Sequence, residues 1–232
     1  MIRCECDGVH QPRRVVLTGG PGAGKTAALE VIRQAFCEHV VVLPEAAGIL
    51  FAGGFPRTQH PVHRRAAQRA IYHVQRELEE TTAAVHPAVI LCDRGTVDGR
   101  AYWPGPDDFW PQVGTTLEAE LSRYDVVIHL RTPPDGTYNH SNPLRRESPA
   151  EARVIDDRIV QAWEQHPRRV MIGPETDFLT KVARAIDVVA GEVPACCRAR
   201  LSPACEGDPG QDRNRFKYGS FDARNSAALP SK

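Results

Sequence analysis

The sequence feature that most constrains the fold is a glycine-rich segment, 19–26, that fits the pattern G-x-x-x-x-G-K-[ST]. The apolar run 14–18 precedes it and predicts a buried strand, and a helix is predicted to begin at Lys25. Glycines let the backbone wrap around a phosphate with its N–H groups pointing inward, and the helix N-terminus adds its positive end. We therefore predict a phosphate-binding loop rather than a chance glycine-rich turn. The predicted nucleotide contacts are Gly19, Gly20, Pro21, Gly22, Ala23, Gly24, Lys25 and Thr26.

Three polar side chains near this loop have separate predicted roles. Lys25 can reach the β- and γ-phosphates, and we expect it to face solvent when no phosphate is bound. The Thr26 hydroxyl and the Asp93 carboxylate, which ends the third strand, are predicted to hold Mg²⁺. The plainer alternative is that the Asp93 side chain caps the N-terminus of a helix. The expected cofactors are ATP, with GTP left open, and Mg²⁺.

Strand and helix signals alternate along the middle of the chain. Apolar runs predict strands at 14–18, 40–43, 88–92, 126–130 and 169–172. Unbroken apolar strands that alternate with helices indicate a mainly parallel sheet covered by helices on both faces. The expected fold class is α/β, a P-loop NTPase three-layer α/β/α sandwich with a mainly parallel five-stranded sheet.

Helix signals lie between these strands. The periodic stretch 62–86 predicts a long helix with Ala67, Ile71, Val74, Leu78, Thr82 and Val85 inward. Capping boxes that open with Thr115 and Ser148 predict the starts of two more helices, and Gly191 is expected to end the last one.

The composition predicts three regions. Residues 1–12 are expected to form an N-terminal arm and 13–193 a P-loop domain. The 194–232 stretch is rich in Pro, Gly, Ser, Arg and Asp, so a disordered tail is expected there.

The chain has seven cysteines, an odd number, and their spacing is irregular. Cys37 and Cys92 lie in apolar runs and are expected in the core. The other five could in principle bind zinc, but their spacing fits no standard module and adjacent cysteines are awkward tetrahedral ligands. Reduced, incidental thiols are the favoured interpretation. These five are Cys4, Cys6, Cys196, Cys197 and Cys205.

Two further segments suggest phosphotransfer chemistry. Glu45 follows the second strand, so its carboxylate should reach the same crevice and take a proton from an acceptor hydroxyl. An equal alternative is that Glu45 lies in the first turn of a helix, where the helix dipole stabilises its charge. The turn-rich stretch 133–147 is predicted to be a lid that brings Arg145 or Arg146 onto the transferring phosphate. An equal alternative is that these arginines form a solvent-exposed basic segment at the start of the next helix.

Aromatic residues after strands two and three, Tyr102 among them, could stack a planar ring or form a satellite hydrophobic cluster.

Charge and hydropathy exclude several classes of protein. The 29 basic and 29 acidic residues balance, so no global field attracts nucleic acid or anionic lipid, and general nucleic-acid binding is not expected. Apolar runs fall well short of the roughly 20 residues that a membrane span needs. The N-terminus lacks a signal-like apolar stretch, and a cytoplasmic location is expected.

The chain resembles a known family over about residues 13–190. The loop 16–26, Pro44–Ala47 and Cys92–Tyr102 resemble, in order and spacing, the AAA-type P-loop domain of the nicotinamide-riboside-kinase part of NadR and of many bacterial ATPases. The motif order also resembles that of deoxynucleoside kinases. This resemblance implies that Glu45 is a base, Arg94 a phosphate or acceptor clamp and Asp98 an acceptor contact. Tyr102, at the end of the third matching segment, becomes a candidate substrate contact.

The favoured function is a Mg²⁺-dependent ATP phosphotransferase or ATPase acting on a small, nucleoside-like hydroxyl acceptor. The alternative is a nucleotide-binding regulator, using ATP or GTP, that hydrolyses slowly and has no small-molecule acceptor. Convergence of Glu45, Arg94 and Asp98 beside the γ-phosphate would favour the kinase. The hypothesis of a GTP-dependent switch is less well supported, because the stretch at Lys181 lacks the Asp that ends a guanine-recognition motif. The acceptor and the oligomeric state stay open.

Overall fold

The apolar strands form a sheet of five parallel strands in the computed structural model of this chain. The structure describes residues 4, 6, 8–133, 148–174 and 177–198. The spatial order is β2-β3-β1-β4-β5. The strands are β1 Arg13–Thr18, β2 Val40–Leu43, β3 Val89–Asp93, β4 Val126–Leu130 and β5 Arg169–Ile172. The predicted α/β class with a five-stranded sheet is therefore confirmed, and all four strand pairings are parallel.

The strand register brings the expected functional segments to one edge. Leu17 of β1 pairs with Asp93 of β3, and Thr18 pairs with His129 of β4. Leu43 of β2 pairs with Cys92, so Glu45, two residues later, lies at the same carboxyl edge. Parallel strands bind ligands at this edge, where the loops after β1, β2 and β3 meet.

Helices connect the strands and cover both faces. α3 is the longest and α1, α7 and α8 run for three to four turns, whereas α4, α5, α6 and α9 have four or five residues each. The bounds are α1 Lys25–Ala35, α2 Ala46–Ala52, α3 Pro61–Ala83, α4 Asp98–Tyr102, α5 Phe109–Val113, α6 Leu117–Leu121, α7 Pro149–Ala162, α8 Phe178–Glu192 and α9 Ala195–Arg198. Among the residues described, no helix is long and apolar enough to cross a bilayer.

Successive residues of each strand belong alternately to two separate hydrophobic cores. Val15 and Leu17 point to the side covered by α1 and α8, whereas Val16 points to the side covered by α4, α6 and α7. This alternation buries both faces of β1, so its residues 15–17 are fully buried. The three-layer arrangement therefore follows from unbroken apolar strands, because each face needs its own helical cover.

The start of α7 carries the predicted capping box. The Ser148 Oγ accepts from the Glu151 N–H at 3.2 Å, and the Ser148 N–H donates to Glu151 Oε2 at 2.8 Å. Such a cap stabilises a helix by about 1 kcal/mol. It fixes α7 where its inner face, including Asp156, meets the glycine-rich loop.

Two helical predictions need correction. The long helix ends at Ala83, and its buried residues include Tyr72, Gln75 and Glu79 rather than an apolar stripe alone. Glu79 is buried because Gln75 Nε2 and the Tyr124 hydroxyl both donate to it at 2.8 Å. Val85, expected inward, is 74% exposed.

The N-cap of α6 is also one residue later than predicted. Thr116 Oγ1 accepts from the Ala119 N–H at 3.2 Å, while the Thr115 hydroxyl donates to the buried Glu120 instead. The last long helix runs to Glu192, one residue past the predicted stop at Gly191.

The C-terminal boundary differs from the sequence prediction. Contacts divide the chain into a unit Met1–Leu201 and a second unit, Ser202–Lys232, whose residues lie outside those described. Residue 194 was expected to begin a tail, yet Ala195–Arg198 form α9, and Cys197 packs in the α1–α8 core. The predicted disorder beyond Arg198 concerns residues outside the described part of the chain.

Candidate functional site

The glycine-rich loop joins β1 to α1 at the carboxyl edge of the sheet. Gly19 has φ 138°, and a Cβ there would lie 2.0 Å from the Leu130 carbonyl oxygen, so only glycine fits. Gly24, in the left-handed region at φ 91°, is the N-cap of α1. The loop therefore delivers the N-terminus of α1 to a tight backbone cradle, the geometry that binds anions.

Lys25 lies within this loop and is buried, which corrects the expectation that it faces solvent. Its Nζ donates to the carbonyl oxygens of Gly19 and Gly20 at 2.9 and 3.0 Å. Burial and the nearby Arg94 charge lower the pKa of Lys25 to about 8, although the carboxylates around it act in the opposite sense. The ammonium is thus positioned by the loop backbone and would gain from an anionic ligand.

Asp93 ends β3 beside the loop. Burial raises the pKa of Asp93 to about 6, against the attraction of Lys25. Its Oδ1 is buried and has no hydrogen-bond partner among the described residues. An unpartnered carboxylate oxygen is the ligand type that Mg²⁺ prefers, so the site fits this ion. The Thr26 side chain, the other predicted ligand, is exposed at the start of α1.

Glu45 and Arg94 meet across the tips of β2 and β3. Arg94 Nε donates to Glu45 Oε1 at 2.7 Å. Glu45 occupies the N-cap of α2, but its side chain makes no capping bond to the described residues. Burial opposes ionisation of Glu45, yet the charges of Arg94 and Lys25 outweigh it and lower the pKa of Glu45. Glu45 is therefore an ionised acceptor at neutral pH that faces the loop's cations.

Arg94 is the centre of the site. Its Nη1 donates to the Gly19 carbonyl at 3.2 Å, which ties it to the glycine-rich loop. Its guanidinium lies 5.5 Å from the Tyr102 ring centroid. Arg94 also has φ 70°, a left-handed backbone that costs a non-glycine residue energy and tends to occur at functional sites. The structure thus brings Arg94, Glu45 and Tyr102 together next to the loop.

Asp98 belongs to the same cluster but lies beneath it, only 3% exposed. Trp163 Nε1 donates to its Oδ1 at 2.5 Å, and the Thr18 hydroxyl lies within 2.8 Å of both oxygens. Arg94 Nη1 donates to Oδ2 at 3.4 Å. These contacts orient Arg94 from below, whereas the resemblance implied a direct contact of Asp98 with the acceptor.

Asp156 is a site residue that sequence reasoning missed. Its Oδ1 accepts from the Gly20 N–H at 2.8 Å, and its Oδ2 accepts from the Thr132 N–H at 3.2 Å. His129 Nε2 lies 2.8 Å from Oδ1, so this fully buried histidine of β4 is also part of the network. The available signal was a carboxylate at helical spacing from the apolar residues Ala152 and Ile159, with which it shares the buried face of α7.

The remaining predictions fall elsewhere. Arg145 and Arg146, with most of the predicted lid, lie outside the described residues. Trp103, Phe109 and Trp110 pack with Tyr72 in a satellite cluster under the loops, the plainer of the two interpretations.

Comparisons with known proteins agree with this geometry. The sequence profile of a family described as AAA domain matches residues 14–181. No curated protein matches the sequence significantly.

Solved structures match the fold. A deoxyadenosine kinase from M. mycoides, with dCMP and a flexible dCDP bound, has a TM-score of 0.54 at 12% identity, over 77% of this chain and 99% of that one. NadR in complex with NR gives 0.57 at 18% identity, over 79% of this chain and 51% of that one. NadR with NAD and AMP-PNP gives 0.54 at 15%, over 78% and 49%. The chain therefore spans about half the length of the NadR chains and shares the fold of P-loop nucleoside kinases.

Proposed function

The chain belongs to the AAA domain family, as the motif resemblance implied, and we propose that it is a Mg²⁺-dependent ATP phosphotransferase acting on a small hydroxyl acceptor. The acceptor is proposed to be nucleoside-like. One observation carries the proposal: Arg94 donates both to Glu45 and to the Gly19 carbonyl of the phosphate loop. One guanidinium thus joins the Glu45 carboxylate to the phosphate loop. This arrangement suits the transfer of a phosphate from a nucleotide in the loop to an acceptor at Glu45.

The nucleotide half of the proposal rests on the loop. Backbone N–H groups at the start of α1 and the Lys25 ammonium would hold the β- and γ-phosphates. Asp93, with its unpartnered buried oxygen, and the Thr26 hydroxyl would hold Mg²⁺. When bound, the metal would neutralise charge on the transferring phosphate. ATP is favoured over GTP because the sequence lacks a guanine signature.

The acceptor half rests on Glu45. An acceptor hydroxyl is a weak nucleophile at neutral pH, and an ionised carboxylate within hydrogen-bond reach orients it and takes its proton. Glu45 stays ionised because Arg94 and Lys25 lower its pKa. Arg94 would stabilise charge on the transferring phosphate, and Asp98 would hold Arg94 in place. Tyr102, against the Arg94 guanidinium, is the proposed wall of the acceptor pocket.

The direct test is a transfer screen with radiolabelled ATP over nucleosides, sugars and aminoglycosides. For the accepted compound, Glu45→Gln is expected to lower the transfer rate at least tenfold, and general-base assistance is typically worth about 10²–10⁴-fold. ATP affinity should barely change. Glu30→Gln is the matched control, because Glu30 lies on the exposed side of α1 and, among the described residues, pairs with its helix neighbours Arg33 and Gln34.

Two outcomes would contradict the proposal. Equal transfer rates in wild type and Glu45→Gln would remove Glu45 as the base. ATP binding with slow hydrolysis and no accepted compound would favour the nucleotide-binding regulator instead.

A further inference from the structure

A second cluster of reactive side chains lies at the opposite edge of the sheet. Cys37 and His39 come just before β2, at the amino ends of the strands, whereas the phosphate loop follows β1 at their carboxyl ends. The N-terminal arm and α9 bring the other members to this point. The cluster consists of Cys4, Cys6, His10, Cys37, His39, Cys196 and Cys197.

The spacing of these side chains matches a metal site. Zn–S bonds of about 2.3 Å and Zn–N bonds of about 2.0 Å give tetrahedron edges of about 3.8 Å between sulfurs and about 3.5 Å between sulfur and nitrogen. Cys197 Sγ lies 3.9 Å from Cys4 Sγ, 3.4 Å from His39 Nδ1 and 3.6 Å from His10 Nε2. Cys6 Sγ lies 3.6 Å from His10 Nε2.

The cluster divides into two four-membered sets. In each set the potential ligand atoms all lie within 4.8 Å of one another. The sets are Cys4, Cys37, His39 and Cys197, and Cys6, His10, Cys196 and Cys197. They share one thiol, so seven side chains complete two tetrahedra with a common vertex.

We propose that the first set binds a structural zinc ion and that the second set binds another, with the Cys197 thiolate bridging the two. Each set offers only thiol and imidazole ligands, the types that zinc prefers. Four protein ligands leave no open position, which distinguishes a structural zinc from a catalytic one. The sequence objection to adjacent cysteines does not apply to the first ion, which uses Cys197 without Cys196, whereas the second ion takes both.

Disulfides explain the cluster less well. A disulfide needs sulfurs about 2.05 Å apart and excludes histidine. Cys197 Sγ instead lies 3.9 Å from Cys4 Sγ and 4.0 Å from Cys196 Sγ, and each set includes a histidine nitrogen close to Cys197. The cross-link would therefore be a metal that joins the N-terminal arm, the segment before β2 and α9.

Metal content tests the proposal without any measurement of enzyme activity. The full chain is purified in reducing buffer without chelator, and zinc per chain is measured by inductively coupled plasma mass spectrometry. We expect two equivalents in wild type, one in Cys6→Ala and none in Cys197→Ala. Cys92→Ala is the control, because Cys92 is a buried thiol of the other core and belongs to neither set. It should keep two equivalents.

A variant that fails to fold leaves the test intact. Wild-type chain stripped of zinc and reloaded with Co²⁺ should give the thiolate charge-transfer and tetrahedral ligand-field bands, and His39→Ala should alter them. One equivalent, kept in Cys6→Ala and lost in Cys197→Ala, supports the first ion and overturns the second. Wild type without zinc and without a Co²⁺–thiolate spectrum overturns both.

Discussion

Lys25 is buried and Asp93 is half-buried, and burial disfavours the charged form of both side chains. The pKa of Lys25 falls to about 8 and that of Asp93 rises to about 6. Each charge stabilises the charged form of the other, but this attraction does not offset the loss of hydration on burial. An anionic phosphate beside Lys25 and a cation beside Asp93 would supply the missing partners, so the proposed Mg²⁺–nucleotide pair would stabilise the charged form of each side chain.

Binding of Mg²⁺ should consequently depend on pH. A proton and the cation compete for the same Asp93 carboxylate, whose pKa is raised to about 6. Mg²⁺ affinity should thus be nearly constant above pH 7 and fall by up to about tenfold per pH unit below about 6. Above about 8, loss of the Lys25 proton should weaken nucleotide binding.

The measurement is calorimetric titration of Mg²⁺ into the chain with saturating AMP-PNP, from acid to alkaline pH. The nucleotide phosphates titrate as well, so the comparison is with Asp93→Asn, whose acid limb should contain the nucleotide's titration without that of Asp93. An acid limb of equal steepness in both proteins would exclude Asp93 as the metal ligand.

Asp156 acts on the loop from outside it, through the Gly20 N–H. Asp156→Ala would leave buried N–H donors of Gly20 and Thr132 unpaired, at a cost of about 1–3 kcal/mol each. Because the loop loses its anchor, we expect ATP affinity to fall at least fivefold at temperatures where the variant is folded. The control is Asp157→Ala, whose side chain is 61% exposed and pairs with Arg131.

ATP titration and urea unfolding separate the two effects of this variant. Asp156→Asn, which retains an acceptor oxygen, should recover part of the affinity. A loss of stability with unchanged ATP affinity would make Asp156 a purely structural residue.

At the scale of elements, the strands were predictable because each is a continuous apolar run. The helices α4, α5 and α9 were missed, since four or five residues are too few to show helical periodicity. The start of α2 was anticipated only through the alternative that placed Glu45 in a first helical turn. The inward face of α3 was mispredicted because Gln75 and Glu79 are typical surface residues. Their burial depends on the hydrogen bond between them and on Tyr124, a partner distant in sequence. Motif spacing gave the phosphate loop, but the Glu45–Arg94 contact and Asp156 depend on strand register and tertiary packing.

The buried polar face of α3 makes a prediction of its own. Glu79 is fully buried and pairs with Arg123, which is itself largely buried. Glu79→Ala would remove an acceptor from the buried Gln75 amide and the Tyr124 hydroxyl. Arg123 would lose one carboxylate but keep Glu120 Oε2 at 3.0 Å. An unpaired buried polar group costs about 1–3 kcal/mol, so the free energy of unfolding should fall by about that amount. Glu80→Ala, at a half-exposed neighbouring carboxylate, should change it by less than about 1 kcal/mol.

Urea denaturation at neutral pH measures both variants. Similar midpoints for Glu79→Ala and Glu80→Ala would show that the α3 network contributes little to stability. Among the described residues, the phosphate loop makes no hydrogen bond to Glu79, Arg123 or Tyr124, so ATP affinity of the folded variants should match wild type.

At the scale of the molecule, the end of the core can be located by two truncations. The sequence placed the boundary near residue 193, yet Val193 is fully buried and Cys197 is 4% exposed within the α1–α8 core. A chain ending at Arg198 retains these contacts, so we expect it to fold and to bind ATP as the full chain does. A chain ending at Pro194 loses α9 and exposes the surface that Cys197 covers. Burial of a small apolar side chain is worth about 1–2 kcal/mol, so the shorter chain should unfold more easily by about that amount.

The truncations are compared by thermal and urea unfolding with excess chelator present, which separates apolar packing from any bound zinc. The difference between them without chelator should be larger, since Cys196 and Cys197 are both proposed ligands. If the chain ending at Arg198 is insoluble, residues 199–232 contribute to the folded domain and the boundary proposed here is wrong. If both truncations are as stable as the full chain with and without chelator, α9 contributes neither packing nor metal binding. The domain would then end at Val193, as composition alone predicts.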